Sequence, residues 1–498
     1  MEGTMAGYRL SKSRILSGIQ CPKRLFLEVH SPELMEESDG MAGRISWGYQ
    51  IGDAARHLYP NGRLIEYQDD LSHALKETRM LLSGRVEGPF FEATFVHSNV
   101  LVRTDIFNRG EAGFKLVEVK ASTSVKEYHL WDCAIQSWVI EGAGYPIERV
   151  EVAHVDTSFV YPGNGDYRGL FQFQDVTADI VPYREQIPGR AEELLKALAG
   201  DEPKVETGGQ CTSFFECPFK NHCSSLGAEP EYPVRILPRG GRIAGELLAE
   251  GIEDIRHIPE GRLAKDLHKR VYRVTVCNQP ELDPEAGKLF GELPYPRFYL
   301  DFETIQFAVP IWTGTRPYQQ IPFQWSCFIE NHQEELGHAE FLDTTGNAPM
   351  LPFIELLLKA MGDNGPIFVY SSFEKTRLNE LAKMFPQLAG KIEEVVNRLV
   401  DLLPVTRKYY YHPQMKGSWS IKAVLPTIAP DLDYGSLQGV QNGNAAQLAY
   451  LEAIDGQTAE TRRTELSQML LEYCKMDVLA LVRLAWFFQG KDGCSVLS

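Results

Sequence analysis

The stretch NVLVRTDIFNRGEAGFKLVEVKAS, residues 99–122, decides the reading of the first half of this chain. NVLVRTDIF and GFKLVEVKAS have the make-up of β-strands, and NRGEAG between them forms turns, so the spacing predicts a hairpin. Strand side chains alternate between faces, which puts Glu118 and Lys120 on one side and Val119 on the other. If the strands pair, Asp105, near the end of the first, reaches the same pocket. Two carboxylates hold a hard divalent cation that keeps several waters and accepts phosphate oxygens, while a neighbouring ammonium helps the attacking water. Asp105, Glu118 and Lys120 are thus a complete set for phosphodiester hydrolysis. The plain alternative is an exposed strand face with an ordinary ion pair.

The pattern continues outward from the hairpin. EYHLWDCAIQSWVIEGAG (127–144) reads as a helix ended by glycine, ERVEVAHVDTSFVY (148–161) as a strand, and PYREQIPGRAEELLKALAG (182–200) contains a helix. Helical patterns also precede the hairpin, so residues 1–229 read as an α/β domain around a mixed sheet. Residues 230–292 read as short helices and a turn-rich connector, a small helical bridging element. Around Gly251 a helix-hairpin-like DNA contact competes with simple packing. Residues 293–498 open with the strand RFYLDFETI and continue strand, strand, helix, strand, helix. ELSQMLLEYCKMDVLALVRLAWFFQG (465–490) forms one long terminal helix.

With 498 residues, 44% hydrophobic and 23% charged, the chain is expected to be globular and multidomain; whole-chain disorder and coiled coil are excluded. No run of apolar residues is long enough for a membrane span, and the first residues have no apolar core of a secretory signal. The expected compartment is therefore cytoplasmic, with no membrane partner. Lys+Arg is 50 against 67 for Asp+Glu, a net charge of -17, which is wrong for a protein that coats duplex DNA. Any nucleic-acid function must come from local sites. Of nine cysteines, Cys133, Cys277, Cys327, Cys474 and Cys494 are scattered and read as small apolar residues. Cys211, Cys217 and Cys223 form C-x5-C-x5-C, which in a reducing compartment suggests a metal.

Residues 1–229 resemble the PD-(D/E)xK nucleases of the RecB and Cas4 type. The likeness rests on Cys21 in QCPKRLFL, on Asp105 with Glu118-Val119-Lys120, on Gln136 in AIQSWVI, and on the closing cysteine cluster. It implies a restriction-endonuclease-like fold in which Cys21, Cys211, Cys217 and Cys223 bind a [4Fe-4S] cluster that staples the domain's ends. Zinc is the alternative for four thiolates. The late cysteines depart from the family's usual close pair. The resemblance also makes His57 a candidate metal ligand, and Glu92 is a further candidate for the pocket.

The second constellation is Asp301 and Glu303, on one face of RFYLDFETI, with Tyr473 and Asp477 four residues apart on the terminal helix. Two carboxylates side by side repel unless a cation sits between them. Asp-x-Glu on an opening strand and Tyr-x3-Asp on a late helix resemble the DnaQ-type DEDD exonucleases, tyrosine-bearing subgroup, which implies an RNase H-like fold over residues 293–498. The family's middle aspartate is replaced by Glu374, with Asp401 as the other middle acid on offer. RKYYYHPQMKGSWSIK places Arg407, Lys408, Lys416 and Lys422 among Tyr409, Tyr410, Tyr411 and Trp419. Such interleaving suits single strands, with rings stacking bases, against the alternative of a loop anchored in the core.

The whole-chain order resembles a bacterial family carrying the DUF2779 C-terminal domain, a label that implies architecture without activity. The function these resemblances imply is a Mg²⁺- or Mn²⁺-dependent DNA nuclease with two hydrolytic sites, exonucleolytic on single-stranded or frayed DNA, in repair, end processing or defence. The alternatives are an RNA-processing exonuclease and a nucleic-acid-binding scaffold whose C-terminal domain is inactive.

Overall fold

The computed structural model describes residues 10–36, 39–66, 71–84, 88–225, 230–437 and 439–491; Cys494 lies outside them. The chain divides into two compact units, Met1–Ala228 with Gln306–Gln319, and Glu229–Ile305 with Gln320–Ser498. Both mix helices with sheets, so the chain is a multidomain α/β protein. Among the described residues no helix is long and apolar enough to cross a membrane.

The first unit runs β1 (Leu10–Ser11), α1 (Lys12–Gln20), α2 (Pro22–His30), α3 (Asp39–His57), β2 (Arg63–Leu64), α4 (Leu71–Ser83), β3 (Phe90–His97), β4 (Val100–Arg109) and β5 (Phe114–Lys120). It continues with α5 (Glu127–Gly142), β6 (Ile147–Val155), β7 (Phe171–Asp175), α6 (Val181–Arg184), α7 (Ile187–Ala199) and α8 (Lys220–Ser225). The sheet order is β2-β3-β4-β5-β6-β7. β3, β4 and β5 form an antiparallel meander, α5 crosses over, and β6 returns parallel to β5. One sheet face packs Val102, Phe107 and Leu116 against Trp131, Ala134 and Ile135 of α5 and Leu194 of α7. The other packs Phe91, Ile106 and Val117 against Ile51, Ala54 and Ala55 of α3 and against Ala308 and Val309. Each fully buried Leu, Ile or Phe contributes roughly 1.5–3 kcal/mol.

The hairpin forks where the chemistry is expected. β3 occupies one edge of β4 along its length, and the other edge is shared. β5 takes Ile106 to Arg109, and β1, running parallel, takes Val100 and Leu101. Between them, among the described residues, β4 has no strand partner on that edge, and Asp105 lies in the gap. On β3 the residue opposite, Glu92, has φ 59°, a left-handed conformation that costs a non-glycine residue of order 1 kcal/mol. Inward-facing alternation breaks at this level on both strands: Ala93 and Val102 face α5, whereas Phe91 and Ile106 face α3.

The second unit contains α9 (Gly241–Ala249), α10 (Asp266–Cys277), β8 (Glu281–Leu282), α11 (Glu285–Gly291), β9 (Arg297–Ile305), β10 (Ile321–Glu330), β11 (Leu336–Leu342), α12 (Met350–Met361) and β12 (Ile367–Val369). Then follow α13 (Phe373–Met384), α14 (Ala389–Asn397), β13 (Leu399–Asp401), α15 (Leu402–Tyr409), β14 (Tyr410–Tyr411), α16 (Ile421–Ile428), α17 (Gly443–Ile454) and α18 (Glu460–Gln489). Its main sheet has the order β11-β10-β9-β12-β13, with β9, β10 and β11 antiparallel and β12 and β13 parallel to β9. The short helices expected over 230–292 are present, and they share one core with this unit. Val234, Leu247, Val271 and Phe290 pack in the same cluster as Tyr299, Phe368, Trp486 and Phe488. β8 pairs with β14, which fixes that segment to the sequence that follows α15.

Candidate active sites

In the first unit, residues from four elements converge on the fork. Because the β4–β5 ladder stops at Ile106 and Val117, the amide of Val119 lacks a backbone acceptor there and donates to Asp105 Oδ2 at 2.7 Å. Glu118 is 1% exposed and faces α5. Its Oε1 accepts from Lys120 Nζ at 2.7 Å and from Lys12 Nζ at 2.8 Å, and its Oε2 from Gln136 Nε2 at 2.6 Å. Gln136 and Asp132 stand one turn apart on α5 and bond to each other at 3.0 Å; Asp132 also binds the Lys120 ammonium.

Burial opposes charge on Glu118, but Lys12, Lys120 and the Gln136 amide outweigh it and hold this carboxyl well below its usual range. Asp105 goes the other way. Burial, then the Glu118 charge beside it, push its carboxyl up to about 7. Lys12 and Asp132 were not found in the sequence. Asp132 had a weak signal, four residues before Gln136; Lys12, 106 residues from Glu118, had none.

His57 and Glu92 have other partners. His57 is exposed, bonds the Asp53 carbonyl at 2.8 Å, and lines a cleft with Asp53, Tyr167, Phe307 and Ile311. Glu92 pairs with Arg103 at 3.2 Å and Arg56 at 3.9 Å. The four cysteines do come together: Cys21, Cys211, Cys217 and Cys223 line one cavity with Lys23, Arg24 and Phe219. None of them is in a disulfide. Buried Gln20, next to Cys21, donates to the Gln210 carbonyl at 2.8 Å and the Phe215 carbonyl at 2.7 Å, which ties the early helix to the late cysteine loop. Burial first, then the neighbouring cysteines, raise the Cys223 thiol.

In the second unit, Asp301 and Glu303 on β9 face Asp477 on α18. Ligand oxygens of the three lie within 4.8 Å of one another, the one such trio among the described residues. The register opposes Asp301 to Ser326 and Glu303 to Gln324, with a bulge at Phe323. Gln324 Nε2 reaches across to the Leu470 carbonyl at 2.8 Å and so docks α18 over the strand.

Glu374, on the first turn of α13, is 2% exposed, and its Oε2 is buried without a partner. Burial, followed by repulsion from Asp477, Glu374 and Glu303, raises the Asp301 carboxyl well above its range. Burial and Asp477 do the same to Glu303. Burial takes Glu374 to about 7. Four carboxylates are held where like charge and desolvation both disfavour them.

Tyr473 and Asp477 share one face of α18, as their spacing requires, and Tyr434 donates to Asp477 Oδ1 at 2.6 Å. Lys422 Nζ donates to Tyr473 Oη at 3.1 Å and lies over the rings of Tyr434 and Tyr473. Tyr434 was missed, since an isolated tyrosine in DLDYGS carries no spacing signal. Asp401 caps α15, accepting from Leu403 at 2.9 Å and from the Ser371 amide at 2.9 Å.

The expected stacking platform for single strands is corrected by burial. Tyr409, Tyr410, Tyr411 and Trp419 are 7%, 2%, 0% and 5% exposed, so their faces are unavailable to bases. Tyr411 Oη accepts from Gly417, Trp419 donates to the Tyr410 carbonyl, and the Arg407 and Lys408 carbonyls accept from Arg270. Lys408 donates to Tyr409 Oη at 2.7 Å, while Lys416 is exposed beside the turn. Lys422 alone of that set reaches the acidic pocket.

The domain of unknown function DUF2779 matches residues 298–420, a span that contains Asp301, Glu303 and Glu374 and stops before α18. The chain is also similar to three curated bacterial proteins named as uncharacterized. The Mycoplasma pneumoniae homolog of MG366 is 29% identical over 225 residues, 40% of this chain and 33% of that protein. MG366 of Mycoplasma genitalium is 24% identical over 220 residues, 40% of this chain and 33% of the relative. UU173 of Ureaplasma parvum is 24% identical over 235 residues, 43% of this chain and 34% of the relative. The chain thus spans about a third of the length of the curated relatives it matches.

Proposed function

We propose that the chain is a metal-dependent DNA nuclease with two hydrolytic sites, acting as an exonuclease on single-stranded or frayed DNA in the cytoplasm. The observation that carries this reading is the convergence of half-buried Asp301 with buried Glu303, Glu374 and Asp477, with Lys422 the one ammonium placed beside them among the described residues. Mg²⁺ or Mn²⁺ fits that donor set. Asp301, Glu303 and Asp477 would hold it, and the unpartnered oxygen of Glu374 faces the same charge. When bound, such ions polarise the scissile phosphate and make a bound water more acidic. Tyr473, its oxygen fixed by Lys422, orients the attacking water, and Tyr434 keeps Asp477 turned inward. The strand order, three antiparallel strands then two parallel ones beside the first, supports an RNase H-like scaffold; action from 3′ ends is what the DnaQ-type resemblance implies.

In the first unit the meander, crossover helix and parallel return support the PD-(D/E)xK reading. Asp105 and Glu118 would hold the cation, Gln136 orients Glu118, and Lys120 faces the attacking water. The Cas4-like resemblance implies polarity from 5′ ends there. Cys21, Cys211, Cys217 and Cys223 are the ligands for a [4Fe-4S] staple. Tetrahedral zinc is the alternative for four thiolates; the Cas4-like resemblance is what favours the cluster. Repair, end processing or defence is the setting that the resemblance implies.

The test is a panel of end-labelled DNA and RNA strands digested in Mn²⁺ by the full chain, by Asp477→Ala and by Asp105→Ala. We expect DNA degradation, with 3′-end loss removed by the first substitution and 5′-end loss by the second. Preference for RNA would convert the reading to RNA processing. Strand binding without degradation by any form would leave the inactive scaffold.

A further inference from the structure

Glu118 in the first unit has no free side-chain oxygen. Its Oε2 is taken by Gln136 and its Oε1 by two ammonium groups, Lys120 at 2.7 Å and Lys12 at 2.8 Å. The two lysines are held differently. Lys120 is also bound to buried Asp132, which fixes it between two carboxylates. Lys12 has one close carboxylate, its distance to Asp132 Oδ1 being 3.6 Å; the two side chains are similarly exposed, 26% for Lys12 and 20% for Lys120, so what distinguishes them is the second carboxylate. Lys12 is also the first residue of α1, directly after β1, whose pairing with β4 brings the helix start to the fork. The ammonium therefore enters from the open side of the gap where Asp105 lies.

A cation shared by Asp105 and Glu118 would have to claim the oxygen that Lys12 now holds. We propose that Lys12 is the resident counter-charge of this site, a positioning residue that occupies Glu118 Oε1 until a divalent cation displaces it, and that Lys120 stays on Asp132 throughout. The exposure of Lys12 gives the displaced ammonium room to turn toward the strand, where it would meet a phosphate oxygen. This inference rests on the reading of Asp105 and Glu118 as cation ligands.

The experiment titrates Mn²⁺, followed by its EPR signal, into the full-length protein carrying Asp301→Asn and Asp477→Asn, so that only the first unit's pocket is read. Lys12→Met, Lys12→Arg and Glu118→Gln are compared in that background. Removal of one unit charge beside the ion is expected to tighten Mn²⁺ by about tenfold in Lys12→Met. Lys12→Arg keeps the charge and is expected to bind as the parent does. Glu118→Gln is expected to abolish the site. Equal affinity in the parent and Lys12→Met, with Glu118→Gln still abolishing binding, overturns the role of Lys12 alone. Binding in the parent indistinguishable from that in Glu118→Gln overturns the cation site itself. Unchanged far-ultraviolet circular dichroism of Lys12→Met, which keeps an unbranched apolar stem in place of the lysine's, separates either result from misfolding.

Discussion

The two acidic pockets solve the same electrostatic problem in opposite ways. In the first unit Asp105, Glu118 and Asp132 are faced by Lys12 and Lys120, so the protein supplies most of the counter-charge itself. In the second, four carboxylates are faced by Lys422, which acts through Tyr473 rather than on a carboxylate oxygen. Glu118 is accordingly held low, although Asp105 beside it is raised to about 7, whereas in the second pocket Asp301, Glu303, Glu374 and Asp477 are all raised. A pocket that neutralises itself folds without metal and must release a side chain to bind it. A pocket that does not is disfavoured by like charge and desolvation for as long as it holds no cation.

The largest effect that could break this contrast is on turnover. Asp477→Ala removes a ligand from the pocket with little charge of its own to compensate, and 3′-end activity should fall by about 10³-fold or more. Asp132→Asn in the other pocket leaves both cation ligands in place and loosens only Lys120. A loss of about 10- to 100-fold in 5′-end activity is expected, with 3′ activity unchanged. Comparable losses in the two variants, measured on one end-labelled strand, would erase the distinction.

The next effect is on stability against pH without divalent ions. Glu374 moves from 4.5 to about 7 on folding, so the folded state holds its proton more tightly. That contribution is complete below the unfolded value and is lost as pH rises through about 7, on the order of 3 kcal/mol. Glu118 has the opposite sign, adding stability above the unfolded carboxylate range that disappears on acidification. Denaturant melts of the metal-free protein at pH 6 and pH 8 should therefore show a drop at the higher pH that Glu374→Gln diminishes. A drop of the same size in that variant would place the strain elsewhere. The smallest effect expected is that of Tyr410→Phe, which removes a buried hydroxyl bond to Thr427 at 3.0 Å. It should cost about 1 kcal/mol and leave single-strand affinity unchanged. Weakened strand binding would restore the stacking role that burial argues against.

Much of both sites was legible because regular backbone turns spacing into geometry. Glu118 and Lys120 share a face through the two-residue strand period, and Tyr473 and Asp477 through the helical turn. Cys211, Cys217 and Cys223 were legible as a cluster, and structure joins Cys21 to them through Gln20. The aromatic run 409–411 was ambiguous because a tyrosine that stacks on a base and one buried in a core have the same sequence. Only the pairing of β14 with β8 decides between them. Asp401 could likewise be ligand or cap from the sequence, and the structure shows its Oδ1 capping α15 while its charge acts on Glu374.

The sequence by itself determined which acids could act together within one strand or one helix, since those relations depend only on local periodicity. Tertiary structure alone brought Lys12 across 106 residues to Glu118, set Tyr434 on Asp477, and opened β4 between β1 and β5. Those relations depend on which strand edges pair and which helices dock, and long-range packing leaves no periodic trace along the chain.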